Sequence, residues 1–276
     1  MTMVRRFLPG DLMDDPRTSL SAVRARIDAV DTSLLALVDE RAALAAAVVA
    51  AKAAQSSGAA TFGLRPARET EVLRRLLAAP HSAATVSMIV RIWRELMADS
   101  LALQGPFNVT AWGGDNLPRA VELARLRFGA APSLAYAKTP EEAIAAARTL
   151  GGVGVLSLTR DHAWWGRLLA EPKVRVFAAL PCLKVWGPMS ALAVAEAPVE
   201  PTGSDDTFWV TDAPEPADKI VEALGHDGVA ACQLQATGGL RLFKLAGFYR
   251  PDDERLRRGP GRLSGVIGAA PTPFDS

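Results

Sequence analysis

The chain has 276 residues, 49% hydrophobic and 22% charged, with 31 Lys+Arg against 30 Asp+Glu and a formal charge of +1. A balance this close to zero, without a basic block, gives no support for electrostatic capture of nucleic acid or of an anionic membrane. Two cysteines (Cys182, Cys232) and three histidines (His81, His162, His226) are too few for a disulfide framework or a four-thiolate zinc site and argue against a metalloenzyme; both cysteines read as buried small hydrophobes. At ~100–200 residues per domain the length suggests two domains. Residues 1–8 do not form a secretory core, and no run reaches the ~20 apolar residues of a membrane span, so the expected location is the cytoplasm.

Residues 1–17 read as a flexible tail. From 19 to 56 there is neither Gly nor Pro, and Leu20, Val23, Ile27, Val30, Leu34, Leu37, Val38, Leu44 and Val48 recur at three- and four-residue steps. This predicts one helix of about 38 residues, roughly 57 Å long. Such a rod cannot bury its own apolar stripe, and the two shorter helices predicted at 68–79 and 83–104 cannot cover it alone, so two intertwined copies are expected. Composition then shifts: only Gly10, Gly58, Gly63 and Gly105 of the 22 glycines precede residue 107. Short β-rich runs at 108–112, 133–137, 153–158, 174–179, 191–195 and 207–211 alternate with helical stretches at 117–128, 140–150 and 162–170, which predicts an α/β domain over 106–212. Residues 213–276 read as a small α+β unit: helix 217–224, strand 230–236, a Gly238-Gly239 turn, strand 240–246, helix 251–258 and a last strand near Val266.

Within the helical part, 18–105, Arg24, Arg41, Lys52 and Arg68 stand at informative positions. Arg41 and Lys52 are ~20° apart around the helix and ~16 Å apart along it, so both can grip one small anion from its two ends. Arg24 lies ~26 Å before Arg41 and is rotated by ~100°, so it joins the same ligand only from the other subunit. Ser100 and Gln104, at i and i+4, stack on one face as neutral donors. Arg68-Glu69 opens the second helix.

These residues, with Val23 to Asp31, Leu34-Leu35, Glu40-Arg41, Arg65-Pro66-Ala67-Arg68-Glu69 and Ile92-Trp93-Arg94-Glu95, resemble the all-helical chorismate mutases over about residues 19–104. The resemblance implies a three-helix intertwined homodimer and a cofactor-free Claisen rearrangement of chorismate to prephenate. It also implies the roles: Arg24 of the partner subunit, Arg41 and Arg68 hold the two carboxylates, Ser100 assists, Lys52 and Gln104 donate to the ether oxygen, and Glu69 accepts from the ring hydroxyl. Arg65 departs from bacterial relatives that carry an acidic residue there.

The region after Phe107 resembles the prephenate dehydratase part of bifunctional proteins, through Ala111-Trp112-Gly113-Gly114, residues 139–144 and 153–156, and Asp206-Thr207-Phe208-Trp209-Val210; its end resembles an ACT regulatory unit. The Thr-Arg-Phe signature stands here as Thr207-Phe208 without its arginine, and Ser157-Leu158-Thr159 replaces Glu-Asn-Ser, which implies a degenerate domain without dehydratase activity. The fold class expected is multidomain α and α/β, and an aromatic amino acid is a candidate effector. Three alternatives stay open: a bifunctional mutase-dehydratase, a mutase-like fold that eliminates pyruvate from isochorismate, and a non-catalytic helical dimer carrying a small-molecule sensor. Gly113-Gly114 reads as a tight turn or an anion-binding turn, and Trp164-Trp165 as a packed helix face or a cleft lining.

Overall fold

A computed structural model describes residues 19–55 and 62–275, without the side chains of 52–55. The tail expected at 1–17 lies outside them. The chain is multidomain, α followed by α/β, and its contacts divide it into two compact units.

The first unit holds helix α1 (Leu20–Gln55, 36 residues) and the segment 79–85. No Gly or Pro interrupts α1, and the Ser19 hydroxyl caps it by accepting from the Ala22 amide at 3.2 Å. Its apolar stripe is largely uncovered, from 41% exposed at Val23 to 64% at Leu20, with only Val38 half-buried. Arg41 falls on that stripe, four residues after Leu37 and three before Leu44.

The second unit opens with α2 (Pro66–Ala78) and α3 (Val86–Ala102), which pack on one another. It continues as β1 (Asn108–Trp112), α4 (Leu117–Phe128), β2 (Ser133–Tyr136), α5 (Pro140–Ala147), β3 (Gly152–Ser157), β4 (Arg175–Leu180) and β5 (Ala191–Ala195). Then follow β6 (Asp205–Thr211), α6 (Ala217–His226), β7 (Ala231–Thr237), β8 (Leu240–Ala246), α7 (Glu254–Arg257) and β9 (Ser264–Pro271). Local chemistry sets the helix starts: Asn116 caps α4 ahead of Pro118, and Thr139 caps α5 ahead of Pro140, with Glu141 and Glu142 in the first turn.

Among the described residues nine strands join one sheet in the order β2-β1-β3-β5-β4-β9-β6-β8-β7. Strands β2, β1 and β3 run parallel through the crossover helices α4 and α5, and β5 pairs antiparallel with β3 and β4. Helix α5 and the Trp pair cover one face of this half. On the other face α4 packs Leu123, Ala124 and Phe128, and α3 adds Ala98 and Leu101 to the same core. The third helix of the expected 18–105 domain thus shares a core with the strands that follow it.

The last six elements form a βαββαβ unit whose strands lie β9-β6-β8-β7, a ferredoxin-like 4-1-3-2 order. The boundary expected at 212/213 therefore falls one strand late: β6, read as the end of the α/β domain, pairs with β8 and β9. The two halves of the sheet meet where Val176 of β4 pairs with Gly268 of β9. Gly268 has φ +149, and a Cβ there would collide with the Val176 backbone, so the join requires glycine.

Two predicted helices change character. The stretch expected at 162–170 is a 3-10 helix (Trp164–Ala170), and that expected at 251–258 shrinks to α7, because the Asp253 carboxylate accepts from the Arg255 amide and starts the helix late. Among the described residues no helix is long and apolar enough to cross a membrane.

Candidate active site

In the first unit, Arg24 is exposed and Arg41 half-buried on α1; Lys52 lies on the same helix, its side chain outside the described residues. The helical screw keeps Arg41 and Lys52 within about 20° of one face, as their spacing requires.

In the second unit the site residues stand on α2 and at the end of α3. Proline at the first helical position pre-sets the entry of α2, and Glu69 in its first turn complements the helix dipole. The Arg68 side chain is exposed and pairs with Glu71 at 2.7 Å. That contact holds the Glu71 carboxyl below its ordinary range, first through the hydrogen bond from Arg68 and then through its charge. Beside Arg68 a cleft of about 480 Å³ is lined by Arg65, Glu71, Arg74 and Thr202.

Ser100 lies in the last turn of α3 and Gln104 in the turn two residues past its end, so the two do not stack on one helical face as expected; their donors are engaged locally. The Ser100 hydroxyl donates to the Leu96 carbonyl at 2.7 Å, and Gln104 Nε2 donates to the Ser100 carbonyl at 3.0 Å. Gly63 packs closely against this amide: a Cβ there would lie 2.6 Å from Gln104 Oε1 and push the side chain aside.

Glu69 occupies the most ordered electrostatic environment of the region. Its Oε2 accepts from Arg94 of α3 and from Arg127 of α4, each at 2.7 Å. The side chains are 15%, 5% and 6% exposed in that order, so a half-buried carboxylate joins two buried guanidiniums in a triad. Arg127 also lies 4.8 Å from the Phe128 ring and 5.8 Å from that of Phe177. Burial, and then the neighbouring Arg94, push its pKa below the ordinary arginine value, while Glu69 opposes them. A carboxylate offers about four lone-pair sites, so two contacts on Oε2 leave Oε1 with capacity for a hydroxyl donor. Sequence reasoning assigned no role to Arg94 and did not find Arg127. Both were signalled by a cation inside an apolar helical stripe: Val90, Arg94, Ala98 and Leu101 on α3, and Ala120, Leu123, Ala124 and Arg127 on α4, all buried.

The residues singled out further along are structural. Thr207, in the degenerate dehydratase signature, is fully buried on β6; its hydroxyl donates to the Gly247 carbonyl at 2.7 Å and accepts from the Tyr249 amide at 2.9 Å. Trp164 and Trp165 are core residues whose indoles donate to the Ser157 carbonyl (2.8 Å) and Gln235 Oε1 (3.2 Å). Gly113-Gly114 enters a 3-10 turn ahead of α4, and no side chain caps that turn. The cysteines are not the buried hydrophobes expected: Cys182 is half-buried, and Cys232 is exposed on β7, the outermost strand of the sheet.

Residues 23–105 match the family model described as chorismate mutase type II. Two curated relatives, bifunctional chorismate mutase/prephenate dehydratases of Pseudomonas aeruginosa and Stutzerimonas stutzeri, are each 36% identical, over 95 and 96 residues. Each match covers 34% of this chain and 26% of the relative, so the matched segment spans about a quarter of those proteins. Among solved structures, a quorum quenching acylase, GqqA, has a TM-score of 0.40 at 15% identity, covering 59% of this chain and 95% of that one. A prephenate dehydratase from Streptococcus mutans has 0.34 at 12%, covering 61% and 100%. These two likenesses are too distant to bear on activity. The stretch similar to chorismate mutase type II therefore takes in nearly all of α1 and the whole of α2 and α3.

Proposed function

We propose that the chain is a chorismate mutase that works as a homodimer through α1. The observation that carries this reading is the chorismate mutase type II match over residues 23–105, the stretch in which Arg24, Arg41, Lys52, Arg68, Glu69, Ser100 and Gln104 lie.

Chorismate is a dianion, and its rearrangement to prephenate is intramolecular. It needs no nucleophile, cofactor or proton transfer. The protein's work is to hold the enolpyruvyl arm over the ring and to stabilise charge as the ether bond breaks. In this reading Arg41, Arg68 and Arg24 of the partner subunit neutralise the carboxylates, with Ser100 assisting. Lys52 and Gln104 donate to the ether oxygen as it gains negative charge. The Gln104 amide donates at any pH, and its contact to the Ser100 carbonyl is exchanged for one to the ether oxygen. Glu69 accepts from the ring hydroxyl through Oε1 while Oε2 stays on the arginines. The uncovered stripe of α1 supports the dimer, because a second copy supplies the missing apolar partner and brings its Arg24 with it.

The test is to incubate the purified chain with chorismate, follow the loss of its absorbance and identify the product, with Arg41→Ala as control. Prephenate formation that disappears in the variant is the expected result. No conversion by a folded dimer overturns the reading and moves the sensor alternative forward. Isochorismate in a parallel arm separates pyruvate elimination, and phenylpyruvate formation from prephenate separates a bifunctional enzyme. The buried, internally satisfied Thr207 supports the expectation that no phenylpyruvate forms.

A further inference from the structure

Helix α2 carries Arg68 and Glu69, yet much of what fixes it in the second unit comes from outside the helical domain. At its first turn, Glu69 is bonded to Arg127, a residue of α4 that lies beyond the segment matched to chorismate mutase. Arg127 is itself fixed against Phe128 and, on β4, Phe177. In its third turn, Arg74 donates to the carbonyls of Thr202 and Ser204, in the segment that leads into β6. The α/β region therefore grips α2 at two points, one through α4 and one through the segment before β6.

We propose that Arg127 is a positioning residue for the mutase, holding Glu69 and the adjacent Arg68 in the orientation that binds chorismate, so that the α/β region is a working part of the mutase site. This rests on the reading of the chain as a chorismate mutase. The charge arithmetic favours a role other than stability. The triad holds two cations and one anion, so replacing Arg127 with an apolar residue leaves a neutral Glu69–Arg94 pair rather than a stranded charge. Glu69 then loses one of its two anchors.

The experiment uses the full chain. Arg127→Met, Arg127→Lys and the surface control Arg148→Met, from an exposed ion pair with Glu171, are compared with the parent for kcat, KM for chorismate and thermal midpoint. Since a misplacement of about 1 Å can cost on the order of 100-fold, we expect Arg127→Met to lose about 10- to 100-fold in kcat/KM, chiefly through KM. Arg127→Lys restores part of it, and Arg148→Met matches the parent. A lowered midpoint with unchanged kcat and KM below the transition means that Arg127 only stabilises, and overturns the proposal. If Arg127→Met does not fold, Arg74→Met carries the test: a raised KM supports the proposal and an unchanged KM overturns it. A parent chain inert toward chorismate overturns the mutase reading and this proposal together, whereas an active parent with indifferent variants overturns this proposal alone.

Discussion

Helix α1 and the nine-stranded sheet solve the burial problem in opposite ways. Strands β3 and β5 are buried along their whole length, covered by α5 on one side and by α4 with α3 on the other. Along α1 the residues of the apolar stripe are open to solvent: Ile27 is 53% exposed, Leu34 50% and Val48 52%. The sheet unit buries its apolar residues within one chain, and α1 leaves most of its own exposed. Stability in the first should be intramolecular, and in the second it should depend on chain concentration.

The largest expected effect comes from breaking the α1 stripe. A buried charge in a helical seam has no partner to offset its desolvation, so Leu34→Asp is expected to abolish association and, with it, all prephenate formation. Sedimentation velocity and the chorismate assay read both. A fully active Leu34→Asp monomer would sink the dimer and the role of Arg24 in trans.

The sheet gives the contrasting result. Trp209, fully buried against Phe243 at 5.8 Å between ring centroids, is expected to lose about 3–5 kcal/mol when replaced by Ala. The loss should not vary with protein concentration in denaturant titrations; a concentration-dependent loss would mean that the sheet unit too is completed by a second chain. Glu69→Gln is expected to cost a similar ~3–5 kcal/mol, because it leaves the buried guanidiniums of Arg94 and Arg127 facing one another without their carboxylate. Arg127→Met should cost distinctly less. Equal losses for the two would show that the triad's excess positive charge is neutralised by some other group.

Chemistry at the site falls next. Removing a donor that acts at the transition state costs on the order of 3–4 kcal/mol, so Lys52→Ala is expected to lower kcat about 100- to 1000-fold with a smaller rise in KM. A pure KM effect would reassign Lys52 to carboxylate binding.

What could be read from the sequence follows the range of the interactions involved. Helix α1 was legible because an unbroken stretch without Gly or Pro and a 3-4 apolar period are local signals. Strands β1, β5 and β8 and helix α4 were legible for the same reason, each bounded by turn residues or a cap. The 3-10 helix at Trp164–Ala170 was misread because its apolar period resembles an α-helix, while Gly166 and the nearby Pro172 weaken one. The place of β9 between β4 and β6 left no local trace, since strand order is set by pairings across up to 92 residues, such as Val176 with Gly268. The same holds for the candidate site. Arg41, Lys52, Arg68 and Gln104 are singled out as candidates by spacing and by resemblance. Arg127 lies 58 residues from Glu69, and its only local mark is a charge inside an apolar stripe.

The smallest effect sharpens the comparison at Arg68. This arginine belongs to the unit that buries its apolar residues within one chain, so its local chemistry should not depend on dimer formation. Its guanidinium is held by Glu71 at 2.7 Å, and in the proposed reading a substrate carboxylate displaces that partner. The Glu71 carboxyl is held below its ordinary range by Arg68, so the pair is intact above the usual carboxylate range and is lost only as pH falls through that lowered value. At neutral pH, Glu71→Gln removes the competitor. Because both groups are exposed and screened, the expected change is no more than about a two- to threefold fall in KM at low salt. It should fade toward 1 M salt, where the Debye length is about 3 Å. Initial rates at two salt concentrations and two enzyme concentrations measure it. A KM that rises instead would mean that Glu71 orients Arg68 toward the substrate rather than competing for it, and a KM shift that varies with enzyme concentration would place Arg68 under the control of the α1 interface.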